Sequence, residues 1–233
     1  MTIQQGIMKT IAINIYTLDE LKPEARDYAL KRFIDINVHH DWCETGYLDF
    51  IAISGTIGLR VDYDSIECVG FFTQDSGSAF SAEVDLIALI DGIITERWKS
   101  YAPELRLQLS PPDVDRRVMR LLRNGNITPF VKLIRTSRRL DVRAQILAKL
   151  AADNKSCERL AAELDRLEDW LQGVADCLNR CLFKSMEREY EFQTGEPAVA
   201  ETITANDYHF TIDGSYAGNI EQFINDLDTT NDN

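Results

Sequence analysis

The sequence predicts an α+β fold: a small antiparallel sheet covered by helices, with a helical middle region and one long helix. Three observations predict it. Short runs with β-branched or apolar residues at every second position fall within the first 84 residues, the period of a half-buried strand. Longer patches repeat apolar residues at three and four, the period of a helix with one buried face. Pro and Gly separate the two kinds of run, at Asp75-Ser76-Gly77, Ser110-Pro111-Pro112, Asn124-Gly125, Thr128-Pro129 and Gly195-Glu196-Pro197.

Taken in order, Lys9–Tyr16 alternates Ile11, Ile13 and Ile15 and reads as a strand. Residues 19–37 carry Leu21, Ala25, Tyr28, Ala29 and Phe33 at helical spacing, with Pro23 in the first turn, where its missing N–H costs nothing. Asp41–Ile51 is a second helical patch. Ser54–Tyr63, Ser65–Phe72 and Ser78–Val84 then read as the strands of an antiparallel meander, the last two joined by a turn at Gln74–Gly77. Leu86–Tyr101 has a broad apolar helical face. Three short basic helices are expected at Asp113–Arg123, Phe130–Arg138 and Val142–Ala152, the first two opened by Ser or Thr followed by Pro. From Ser156 to Phe192 the stripe Leu160, Leu164, Leu167, Leu171, Leu178, Leu182 and Met186 predicts one long helix, expected to pack against Leu86–Tyr101. Ala198–Ala205 is a short helix and Tyr208–Ile212 a strand. The expected division is 1–103 as sheet and helices, 104–155 as a basic helical insertion, 156–225 returning to the first part, and 226–233 (DLDTTNDN) as a disordered tail.

Of 233 residues, 45% are hydrophobic and 27% charged, which excludes fibrous and wholly disordered classes. No apolar run approaches the ~18 residues of a membrane span. Five cysteines at uneven spacing argue against a disulfide framework and for a reducing, cytoplasmic compartment. The net charge is −13. Between Arg106 and Leu150, however, 11 Lys/Arg stand against three acids, which is +8 and leaves −21 elsewhere. An acidic chain repels phosphates as a whole; a clustered Arg block is the usual footprint for them.

Three segments, TLDELKPEARDYALKRFIDINVHHDW (Thr17–Trp42), GFFTQDSGSAF (Gly70–Phe80) and MEREYEFQTGEPAVAETITANDYHFTIDG (Met186–Gly214), resemble an uncharacterised family common in bacteriophages and prophages, some members of which are labelled antitoxin-like. The resemblance implies a phage or mobile-element setting, with the first and last segments belonging together. The basic block lies outside it.

Candidate chemistry is sparse. Asp62 and Asp64, and Glu83 and Asp85, would each share a strand face by period two. Such an acidic face could hold Mg²⁺ or be merely solvated, and no Lys or His at a fixed offset completes a catalytic set. His39, His40 and Cys43 lack a second ligand pair for zinc. Cys177 and Cys181 sit inside an apolar stripe, as core residues do. No cofactor, metal or catalytic residue is expected. The polar hairpin tip Gln74, Asp75 and Ser76 is a candidate partner-binding tip; alternatively its flanking aromatics simply pack on the first helix. Arg116, Arg120 and Arg123 share one helix face, as do Arg135, Arg138 and Arg139. They either contact phosphates or neutralise the acidic shell, within the chain or across a homodimer.

These features predict a non-enzymatic, cytoplasmic accessory protein that binds and inhibits or regulates a host protein, such as a nucleic-acid-handling defence system (anti-CRISPR or anti-restriction activity). The alternative is a nucleic-acid-binding regulator or antitoxin acting through residues 113–149. No membrane partner is expected.

Overall fold

The computed structural model describes residues 14–39, 41–71, 76–125, 130–135 and 154–218, with 132–135 and 154–159 as backbone only. The chain forms two compact units, one of residues 1–42 with 190–233 and one of residues 43–189. The boundary expected near residue 103 therefore falls inside the second unit. The strand expected at 9–16 lies outside the described residues except for Tyr16, and the tail 226–233 lies wholly outside them.

The first unit is built on α1 (Pro23–Arg32) and α6 (Glu196–Ala205). A single 3-10 turn, Leu18–Glu20, precedes α1, so the helix expected from residue 19 starts later. The Glu20 carboxylate accepts the Thr17 backbone N–H at 2.9 Å and its hydroxyl at 3.0 Å, which fixes the chain's entry. Pro197 stands in the first turn of α6, so the break at 195–197 also starts the next helix. Leu18, Ala29, Leu30, Val199, Ile203 and Phe210 form the buried core. The strand expected at Tyr208–Ile212 is reduced to bridges: Phe210 pairs with Tyr16 and with Tyr216. Phe33, Tyr208, Phe210 and Tyr216 stack edge-on and tilted at 5.0–6.4 Å. Gly214 closes this unit. Its φ is +86°, and a Cβ there would stand 2.2 Å from the Ala25 carbonyl oxygen.

In the second unit, α2 (Glu44–Thr56) extends beyond its expected end and absorbs Ser54–Thr56, the start of the first expected strand. Four strands follow: β1 (Leu59–Val61), β2 (Glu67–Val69), β3 (Gly77–Asp85) and β4 (Phe130–Arg135). β3 is the hub and pairs antiparallel with the other three. This is not the expected meander, because β1 and β2 do not pair with each other; β1 takes residues 82–84 of β3 and β2 takes 77–79. The turn Tyr63–Ser65 between them shifts the register. Both β1 and β4 pair with 82–84, so they occupy opposite edges of β3. Along β3, Ser78, Phe80, Ala82 and Val84 point inward while Glu83 is exposed.

β4 replaces the second expected basic helix, Phe130–Arg138. Arg135 lies opposite Phe80 in a strand, and its helical grouping with Arg138 and Arg139 is overturned; those two residues and the third expected helix lie outside the described residues. The physical reason is the edge of β3. That edge carries backbone donors and acceptors for six residue pairs, and satisfying them outweighs the weak helical preference of FVKLIR, which is rich in β-branched and aromatic residues.

The helices are α3 (Leu86–Ile94), α4 (Arg116–Arg123) and the long α5 (Asn154–Gln193), whose last four residues fall in the first unit. α3 ends at Ile94 rather than at Tyr101, because Glu96 turns left-handed (φ 49°) into the 3-10 turn Arg97–Ser100. Leu86, Leu89, Ile93 and Trp98 share one core with Leu171, Leu178 and Leu182 of α5 and with Phe80 and Val84 of the sheet. Burying such side chains stabilises by about 1.5–3 kcal/mol each. One buried polar contact crosses this core: the Ser78 hydroxyl donates to the Asn179 side-chain oxygen at 2.9 Å. The fold is thus α+β, a small antiparallel sheet with helices, one of them long. Among the described residues no helix is long and apolar enough to cross a membrane.

Candidate functional site

The second unit carries its cations on a frame built by two tryptophans. After a turn at 102–105 the chain runs without helix or strand to Asp115, with Leu105, Leu107 and Leu109 turned toward the core at every second position. The Trp98 indole N–H donates to the Leu105 carbonyl at 3.2 Å, and the Trp170 indole N–H to the Ser110 carbonyl at 2.7 Å. This strap leads into α4. Asp115 caps the helix by accepting the Arg117 N–H at 2.7 Å. The Asp115 backbone N–H is itself held by Glu163 of α5 at 2.8 Å. Val118 and Leu122 are buried, which turns the i, i+4, i+7 series Arg116, Arg120 and Arg123 to the surface.

These three arginines line a groove of about 530 Å³ with Ile90 and Ile94 of α3, Met119 of α4, and Pro111 and Pro112 of the strap. Ile94 is 58% exposed. Among the described residues, none of the three arginines forms an ion pair, in contrast to Arg60, Arg26 and Arg166, each of which meets a carboxylate. The expectation that they neutralise the chain's own acidic shell has no pairing to support it among these residues. The arrangement is an aliphatic floor with a fixed cationic rim, and among the described residues no aromatic ring lines it.

Of the four carboxylates expected to form an acidic face, Asp62 and Glu83 line one cleft with Arg60, while Asp85 caps a helix and Asp64 sits in a turn. Asp62 caps the turn Tyr63–Ser65 by accepting the Asp64 N–H at 3.3 Å. Asp64 lies within that turn and not on a strand. Asp85 caps α3, accepting from Ile87 at 3.0 Å and Ala88 at 3.1 Å. Glu83 pairs with Arg60, directly across the β1–β3 ladder, at 3.1 Å. The sequence could not show that three of them have local structural partners, because period two hides a turn inserted in the strand.

At the hairpin, Gln74 and Asp75 lie outside the described residues, and Ser76 stands at the start of β3. Of the flanking aromatics, Phe80 stacks on Phe50 of α2 at 5.2 Å and Phe71 on Phe183 of α5 at 5.7 Å, whereas Phe72 lies outside the described residues. His39 is exposed, and His40 lies outside the described residues. Among the described residues no three His, Cys, Asp or Glu side chains gather as a metal site. Cys43 and Cys68 face Tyr47. Burial pushes the Cys68 thiol up to about 12 and raises the Tyr47 phenol above its ordinary value. Cys181 is also raised by burial, with Arg188 opposing. Cys68 and Cys181 are thereby held protonated, as packing residues.

A second cationic surface escaped the sequence reading. Arg180, Lys184 and Arg188 follow one another at i, i+4, i+8 along α5 and, with Arg106 of the strap, line a groove of about 270 Å³. They are diluted in sequence by Glu187 and Glu189, so no charge run marks them; their helical spacing was the available signal.

A family model described as a domain of unknown function, DUF8835, matches residues 42–196. That is more than half of the chain, which therefore belongs to this family; the match coincides closely with the second unit. No curated protein and no solved structure matches the chain.

Proposed function

We propose that this DUF8835 member is a non-catalytic accessory protein that binds and inhibits or regulates a nucleic-acid-handling protein of its host, through the groove between α3 and α4. The observation that carries the reading is the set of arginines 116, 120 and 123, without carboxylate partners among the described residues, rimming an aliphatic floor. Such a groove complements an acidic, amphipathic segment of a partner protein: its apolar face covers Ile90, Ile94 and Met119, and its carboxylates meet the guanidinium groups, which bind them in bidentate fashion. The aliphatic floor favours a protein over nucleic acid, whose bases stack on aromatic rings. Asp62, Asp85 and Glu83 engaged in caps and an ion pair support action by contact rather than catalysis. The motif resemblance to the phage and prophage family supports a mobile-element setting in the host cytoplasm, with anti-CRISPR or anti-restriction action as the kind of inhibition expected.

The test is a pull-down from nuclease-treated host lysate. Protein captured by the wild type should survive nuclease and be lost with R116E/R120E/R123E. It should persist when Asp62, Asp64, Glu83 and Asp85 are all replaced by Ala. Capture that requires nucleic acid would instead favour the regulator or antitoxin acting through residues 113–149, and loss of activity in the four-alanine variant, restored by Mg²⁺, would revive an enzymatic reading.

A further inference from the structure

We infer that the groove between the strap and α5 is a binding site for single-stranded nucleic acid, distinct from the α3–α4 groove and independent of what that groove binds. Four cations converge on it from two elements, Arg106 on one wall and Arg180, Lys184 and Arg188 on the other, all exposed and none in an ion pair among the described residues. Successive cations on α5 stand about 6 Å apart along the axis, four residues at 1.5 Å each, so they form a row and not a point. The walls are rigid, because the Trp98 indole fixes the strap at Leu105 and the α5 side of the groove is anchored by buried Leu178 and Leu182.

The row does not end with this groove. Arg180 and Lys184 also line a neighbouring cleft of about 210 Å³ with Ser78, Asn179 and Phe183. Phe183 is half-buried and backed by Phe71. A track of cations beside an aromatic ring is the arrangement that holds phosphates and stacks a base of an unpaired strand. Clefts of this size admit the phosphate or base of one strand; a duplex would ride over them.

The net charge of −13 does not oppose this site. At 0.15 M salt the Debye length is about 8 Å, so acids beyond that distance are largely screened and the local cluster governs. The second unit holds 20 Lys/Arg and 23 Asp/Glu, or −3, while the first holds 5 and 15, or −10.

The experiment is fluorescence anisotropy with a labelled oligothymidylate strand, the same strand as duplex, and inorganic phosphate and pyrophosphate as competitors, between about 50 and 200 mM salt. The wild-type protein should bind the single strand, with log K falling against log salt by about 0.7 per phosphate engaged. R180Q/K184Q/R188Q, changes confined to exposed positions, should lower affinity at least tenfold while circular dichroism stays unchanged. Phe183→Leu should weaken binding without altering the salt slope. R116E/R120E/R123E should bind the strand as wild type does, which separates this site from the protein-docking groove. Absence of strand binding, preference for duplex, displacement by inorganic phosphate at equal concentration, or equal loss in the α4 variant would each overturn the proposal.

Discussion

The two units of this chain differ sharply in the charge they carry. In the first unit, 15 acids outnumber 5 cations, and Arg26 and Lys31 are tied to Glu196 and Asp27. In the second, the totals nearly cancel, yet Arg116, Arg120 and Arg123 of α4 and Arg180, Lys184 and Arg188 of α5 form no ion pair among the described residues. The difference teaches that net charge does not locate binding chemistry. A near-neutral unit with a large aliphatic core presents unpaired cations on rigid helices. The strongly acidic unit, with a small aromatic core, ties Arg26 of α1 to Glu196 of α6.

The largest test of the comparison is the core that makes the second unit rigid. Leu178→Asp, which buries an unpaired charge beside Leu86 and Phe80, should cost several kcal/mol and unfold that unit in a urea titration. A soluble, cooperatively folding variant would show that α5 is not bound into this core and that the cation row lacks the support argued for it.

Next in size is Gly214→Ala in the first unit. Its Cβ would meet the Ala25 carbonyl oxygen at 2.2 Å, at a φ of +86°. We expect a loss of about 1–3 kcal/mol, the scale of strained backbone positions, read as a drop in that unit's thermal transition. A neutral result would mean that the α1–turn contact does not hold the first unit together.

Smaller still is the contrast between paired and unpaired arginines. Arg26→Ala should cost about 0.2–1 kcal/mol, fading at high salt, because it removes an ion pair. Reversing Arg116, Arg120 and Arg123 to Glu should leave stability unchanged within about 0.5 kcal/mol. Equal, salt-sensitive losses in the two would erase the distinction between structural and free cations.

The smallest effect is acid sensitivity of the first unit. The Thr17 backbone N–H, then its hydroxyl, hold Glu20 below its ordinary 4.5; the Thr211 hydroxyl, then the Ser215 N–H, hold Asp213 below its ordinary 3.8. A carboxylate depressed in the folded state contributes stability above its unfolded value and loses it as pH falls through the folded value. Thr211→Ala should therefore lower the transition temperature slightly near neutral pH, and the deficit should begin to shrink below about pH 3.8 and vanish only below the folded-state value. A deficit constant with pH would assign Thr211 to packing alone.

Local signals in the sequence determined much of this protein. The leucine stripe at 160–186 dictated α5, because a continuous period of 3.6 over so many turns has no other stable reading. Pro23 marked a helix start, Gly195-Glu196-Pro197 the end of α5, and Asp75-Ser76-Gly77 separated β2 from β3. The α4 arginine face was also legible, since three positions on one short helix follow from spacing alone. Only the tertiary structure decided the rest. Phe130–Arg135 became a strand because β3 offered an open edge; Asp62 and Asp85 became caps because a turn and a helix, respectively, follow them; and Arg106 joined Arg180, Lys184 and Arg188 because Trp98 pins the strap beside α5. Spacing along one element is written in the chain, whereas an edge that needs pairing, or two walls of a groove, exist only once distant segments meet.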